Sequence, residues 1–136
     1  MGEAGFAVGN PDLLCTLNKV KDSYPVDALA CAIGAAAMED QAHKNANAEK
    51  VKASRARLAA ALAQMGFEVW PSQSNFLLAQ APAGAKAEAL YQGLKARVIL
   101  VRYFKEPRLD DKLRITVGTD EQNEMLLAAL AELLRA

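Results

Sequence analysis

Excess charge of either sign is missing from this sequence: lysine plus arginine and aspartate plus glutamate number 16 each, for a formal net charge of zero. Aromatic residues make up only 6% of the chain and do not alternate with a basic stripe, so nucleic acid is not an expected partner. No apolar run approaches the roughly 18 residues of a membrane span, and no basic segment leads into a hydrophobic stretch at the N-terminus. No membrane partner is therefore expected, and the cytoplasm is the expected compartment. Cysteine is scarce as well. Cys15 and Cys31 are too few and too far apart for a disulfide framework or a metal-binding C-x-x-C, and are expected as reduced thiols in apolar surroundings. The single histidine, His43, lies in the polar run Gln41-Ala42-His43-Lys44-Asn45, where a general base would still need a partner and a pocket. Metal ligation is not expected. Tandem repeats and low-complexity tracts are also lacking.

What is present is a composition suited to one folded domain, with 52% hydrophobic and 24% charged residues over 136 positions. Leu113-Arg114-Ile115-Thr116-Val117-Gly118-Thr119 stands out as a β-branched run that carries an arginine and opens into a capped helix. A guanidinium on a strand is pre-oriented for bidentate recognition of a carboxylate or phosphate, which points to an anionic small molecule. Val98-Ile99-Leu100-Val101-Arg102 is a second apolar run ending in the same residue type. The two arginines can share one anion if their strands are neighbours. The competing reading for Arg114 is a surface strand arginine in an ion pair, and for Arg102 an exposed strand end.

Apolar spacing predicts a helix over 26–41, entered through Ser23-Tyr24-Pro25, with Leu29, Ala32, Ile33 and Ala36 on one stripe. After a polar stretch at 43–47, Val51, Leu58, Leu62 and Met65 form a second helical stripe, and Gly66 stands where a left-handed cap is wanted. The period then changes to two. Strands are expected at 67–70 and 75–79, separated by a Pro71-Ser72 turn, followed by a helix through Ala87, Leu90, Tyr91 and Leu94. Strands at 98–102 and 113–117 flank a charged, turn-like segment. Thr119 and Gln122 then form a capping box ahead of a helix burying Met125, Leu126, Ala129, Leu130, Leu133 and Leu134. The expected fold class is α/β (α+β): a small mixed, mostly antiparallel sheet with a split β-α-β core, packed by helices and preceded by two N-terminal helices. In that layout the 113–117 strand slots between the other two, antiparallel to both.

Further motifs join these: Gly5-Phe6-Ala7-Val8-Gly9-Asn10-Pro11, Lys19-Val20-Lys21-Asp22-Ser23-Tyr24-Pro25-Val26 and Ser72-Gln73-Ser74-Asn75-Phe76-Leu77-Leu78. With the two arginine runs, in this order and spacing, the chain resembles the C-terminal part of the histidinol-phosphate aminotransferases, among the fold type I pyridoxal-phosphate aminotransferases. The resemblance implies amino transfer between histidinol phosphate and 2-oxoglutarate, in histidine biosynthesis, with pyridoxal phosphate as electron sink. It implies that Arg114 binds the anionic end of the substrate, that Arg102 is its partner, and that Asn75 lies near the substrate, although an asparagine there also suits a turn. Residues 1–25 then correspond to a linker from the large domain, and 26–136 to the C-terminal small domain of a homo-oligomer.

The family's Schiff-base lysine and the arginine that grips the cofactor phosphate precede the Gly5-Phe6 segment. Glu3 falls about where that arginine is expected, and the lysine position would precede Met1. Lys19, Lys21 and Lys105 lie in no matching motif. No cofactor is therefore expected to bind this chain alone, and no catalysis by it alone. Two other readings stay open: an aromatic or other amino-acid aminotransferase of the same fold, and a non-catalytic binding or assembly module.

Overall fold

The computed structural model describes residues 7–22 and 26–135. Gly5-Phe6, Glu3 and the Ser23-Tyr24-Pro25 loop lie outside the described residues. The chain divides into two compact units, Met1–Ala46 and Asn47–Ala136, with the division falling inside a helix.

In the first unit, Asn10 accepts a hydrogen bond from the Asp12 amide at 2.8 Å, and Pro11 occupies the first turn, so a helix α1 runs Pro11–Val20. Asp27 caps α2, Ala28–Glu39, by accepting from the Ala30 amide. Among the described residues three helices, rather than the expected two, thus precede the sheet. The third, α3, spans Gln41–Gln64 and absorbs the polar 43–47 stretch that the spacing left outside a helix. The reason is Asp40. Its amide donates to the Ala36 carbonyl, closing α2, while its carboxylate accepts from the His43 amide, opening α3. Neither α1 nor α2 buries a residue, so the Leu29 and Ile33 stripe is exposed. Cys15 and Cys31 are exposed free thiols, not the apolar-packed ones expected, because they ride on these uncovered helices.

The second unit contains the sheet. Gly66, at φ 88°, ends α3 as foreseen: its amide donates to Ala63 and that of Phe67 to Leu62, the paired bonds of a left-handed cap. Strands β1 (Glu68–Val69), β2 (Phe76–Gln80), β3 (Arg102–Tyr103) and β4 (Lys112–Thr116) pair in the order β1-β2-β4-β3. All three pairings are antiparallel, so β2 and β3 run the same way with β4 between them, joined by α4 (Ala87–Ala96). This is the split β-α-β arrangement that the order of elements predicted, without the mixed pairing.

Helix α5 (Asp120–Leu133) follows β4, and α3, α4 and α5 together cover one face of the sheet. Leu58 and Leu62 from α3, Leu77 and Ala79 from β2, Leu94 from α4, Leu113 and Ile115 from β4, and Leu130 from α5 form the centre of the core. Each buried leucine or isoleucine contributes about 1.5–3 kcal/mol by leaving water. Met125 was expected in this core but is exposed, because the inward arc of α5 runs through Asn123, Leu126 and Leu130.

The expected strand at 98–102 is shorter than the apolar run. Val98 takes φ 62° and donates to the Lys95 carbonyl, while the Ile99 amide donates to Leu94. These are the same paired bonds that close α3, so Val98 terminates α4 and extended pairing begins only at Arg102.

Candidate functional site

Strand alternation decides which side chains share a face. On β4, Leu113 and Ile115 are fully buried in the core, so Arg114 between them is turned to the other, exposed face. Arg102 on β3 is its Cα partner across the ladder, and the two guanidinium groups therefore stand on adjacent strands and on one face. Among the described residues neither has a carboxylate within ion-pair distance, so Arg114 makes no surface ion pair, while Arg102 is, as its alternative reading had it, an exposed residue at the end of a strand.

Their neighbours are aromatic instead. The Arg102 Cζ atom lies 5.4 Å from the ring centroid of Phe104, and that of Arg114 lies 5.9 Å from the same centroid. Phe76 approaches Arg114 from the β2 side, at 5.1 Å. Cations over ring faces gain electrostatic attraction without losing their charge. Along the same face Lys112 sits 5.3 Å from the Trp70 ring, but its Nζ already donates to Asp111 and to the Arg108 carbonyl. The free positive charge of this face is therefore concentrated at Arg102 and Arg114.

Short polar linkages hold the strands that carry these groups. Before β2, Ser72 Oγ donates to the Phe76 carbonyl at 2.7 Å, and the Arg55 guanidinium donates to the Ser74 carbonyl at 2.6 Å, fastening the turn to α3. Asn75 is exposed at the entrance of β2, where its carbonyl accepts from the Val117 amide at 2.8 Å. It is one residue out of phase with Phe76, so the structure brings Arg102 and Arg114 together and leaves Asn75 outside their row. On the other flank Tyr103 stacks on Tyr91 of α4, with centroids 5.8 Å apart, securing β3. Burial first, then the charges of Glu88 and Asp110, raise the Tyr103 phenol above its ordinary value, so it stays neutral.

After β4 the chain turns at Gly118 and enters the capping box formed by Thr119 and Gln122, as the sequence indicated. A Cβ on Gly118 would stand 2.6 Å from the Gln122 Oε1 atom and 2.9 Å from its Cβ, so a side chain there would push the capping glutamine out of place. Asp120, in the first turn of α5, accepts from Ser54 Oγ at 2.8 Å and from Arg57 at 2.5 Å. The Ser54 bond, then that of Arg57, hold its carboxyl below the ordinary value. An adjoining open concavity of 720 Å³ is lined by Lys50, Ser54, Arg57, Thr119 and Asp120, and the Arg57 charge there is already matched.

Phe104 was not foreseen, because it lies in the 103–112 segment expected to be a charged turn. The signal available was its spacing two residues after Arg102, which on a strand means the same face. Among the described residues no group of histidine, cysteine, aspartate or glutamate side chains is arranged to hold a metal ion, and no helix is long and apolar enough to cross a membrane.

Comparison with known proteins adds the following. The family profile for aminotransferase class I and II matches residues 1–130. Histidinol-phosphate aminotransferase 1 of Nostoc sp. is 64% identical over 132 residues, covering 97% of this chain and 37% of that protein. The enzyme of the same name from Trichormus variabilis is 60% identical, with 96% and 37% covered. The chain thus spans a little over a third of the length of the curated relatives it matches. Among solved structures, histidinol-phosphate aminotransferase from Sinorhizobium meliloti, in complex with pyridoxal-5'-phosphate, superimposes with a TM-score of 0.76 at 26% identity, covering 92% of this chain and 34% of that one.

Proposed function

The chain belongs to the class I and II aminotransferases, and from that premise we propose that it supplies the substrate-anion half of the active site of a histidinol-phosphate aminotransferase. In this reading the whole protein transfers an amino group between histidinol phosphate and 2-oxoglutarate. Residues 26–136 act as the C-terminal small domain, and 1–25 as the link to the large one. Arg102 and Arg114 hold the negative end of the substrate.

The single observation that carries this reading is the Arg102–Arg114 pair, two like charges directly opposed across a ladder with no carboxylate of the described residues in ion-pair distance. Such a pair is unfavourable in an empty sheet. It becomes favourable when an anion accepts from both forks. A phosphate monoester carries about −1.5 to −2 at neutral pH and offers oxygens to both. Asn75 enters only as the residue whose carbonyl ties β2 to the end of β4.

Pyridoxal phosphate is the cofactor of the family, and the Sinorhizobium relative carries it. In this reading the cofactor is held by another part of the whole protein, and no lysine here is assigned to it. A Schiff-base amine must be available and desolvated, whereas Lys112 is held by Asp111 and Arg108, and Lys19, Lys21 and Lys105 are exposed. No cofactor step is assigned to this chain.

Self-association and a cytoplasmic setting belong to the same proposal. The first is motivated by Leu13, Leu29, Ile33 and Met38, left exposed on α1 and α2; sedimentation that finds only monomer counts against it. The activity is tested by replacing the matched region of the Nostoc relative with this chain. Turnover of histidinol phosphate with 2-oxoglutarate, lost in Arg114→Ala, is the expected result. A hybrid that instead prefers aromatic amino acids would favour another aminotransferase of the same fold and sink the substrate assignment.

A further inference from the structure

We propose that Phe104 is the positioning residue of the arginine pair, a single ring that orders both guanidinium groups before any anion arrives. The proposal rests on the anion-binding reading of Arg102 and Arg114 and extends it to an aromatic residue whose ring both guanidiniums approach.

Two arginines facing each other across a ladder repel, and each side chain has many rotamers, so an undirected pair would splay apart and lose its shared focus. A carboxylate between them would hold them in place. It would also neutralise them and compete with the ligand. An aromatic face attracts the cations through its quadrupole and leaves their charge and their N–H donors available. Phe104 is placed to do this for both: it is half-buried, lies two residues beyond Arg102 just past the end of β3, and has Arg102 at 5.4 Å and Arg114 at 5.9 Å from one centroid. Phe76 differs in kind, since it meets Arg114 alone. Phe104 lies outside the core cluster, so its role at the arginines is separable from folding.

The test uses the 136-residue chain with isotope-labelled arginine, observed by NMR first without and then with inorganic phosphate. In the free chain, Phe104→Leu is expected to shift the Nε–Hε signals of both Arg102 and Arg114 downfield as ring shielding is lost, while Phe76→Leu moves that of Arg114 only. On titration, Phe104→Leu is expected to weaken phosphate binding about fivefold to tenfold, and Phe104→Tyr, which keeps the ring, to restore both the shifts and the affinity. Unmoved signals at either arginine in Phe104→Leu overturn the proposal. So does an unchanged phosphate affinity once the signals have moved. If the unsubstituted chain binds no phosphate, the anion-binding reading itself falls, whereas the ordering of the guanidiniums is decided beforehand by the ligand-free shifts.

Discussion

Asn123 clasps both backbone polar groups of Gly118: its Oδ1 accepts from the glycine amide at 3.0 Å, and its Nδ2 donates to the glycine carbonyl at 3.2 Å. The side chain is only 8% exposed, so one buried amide satisfies the peptide groups where β4 gives way to α5. Removing it strands a donor and an acceptor with poor access to water. Asn123→Ala is expected to cost about 1–3 kcal/mol, read as a lower urea midpoint with an unchanged slope.

Gly66 and Val98 occupy equivalent positions at the ends of α3 and α4, both with positive φ, but only the first is glycine. A β-branched residue is strained in that region. Val98 is 86% exposed, so replacing it sacrifices little burial. Val98→Gly is expected to stabilise the chain by about 1 kcal/mol after the added freedom of the unfolded glycine is counted. Gly66→Val should destabilise it. Chemical denaturation of the two variants checks the opposite signs.

Asp120 offers a pH test. Its folded-state carboxyl lies below the ordinary value of 3.8 because Ser54 and Arg57 donate to it. A depressed folded value means that its stabilising contribution is complete above the unfolded value and disappears as pH falls through the folded one. The stability difference between the unsubstituted chain and Asp120→Asn should therefore be level above about pH 5 and shrink at more acid pH. The pair is largely exposed, so the effect is modest and diminishes with salt. A difference that grows on acidification would contradict this assignment.

Phosphate monoesters should raise the melting temperature of the chain through Arg102 and Arg114. At ten times the dissociation constant, the linked stabilisation is about 1.4 kcal/mol. Arg114→Ala and Arg102→Ala each remove a charge-assisted contact and are expected to weaken binding roughly tenfold to a hundredfold. Arg114→Lys should recover little, because an ammonium lacks the planar fork. A thermal shift that survives in the double alanine variant would be a general salt effect.

The central place of the 112–116 strand was legible because Leu113, Arg114 and Ile115 alternate cleanly and the order of elements admits few layouts. The order of elements made the strands of Arg102 and Arg114 neighbours, but the face each side chain takes was not legible, because it depends on the register that sets the two directly opposite. Val98-Ile99-Leu100 was misread for a physical reason: an apolar β-branched run mimics a strand, while the backbone bonds that end α4 claim Val98 and Ile99. Helix α1 had a readable signature, an asparagine cap followed by proline, within a segment taken as a linker. Asp40 capping in both directions, and Phe104 serving two arginines at once, depend on three-dimensional neighbours that periodicity does not carry.

Because β4 enters last between strands already specified earlier in the chain, the facing edges of β2 and β3 stay open until residues 112–116 arrive. Their amides and carbonyls then have no ladder partner, a condition that invites pairing with another molecule. Synthesis halted before Lys112 should leave an aggregation-prone intermediate, and ladder closure should be a late step in folding. The segment bearing Arg114 would thus complete the recognition surface and suppress intermolecular strand pairing in the same event.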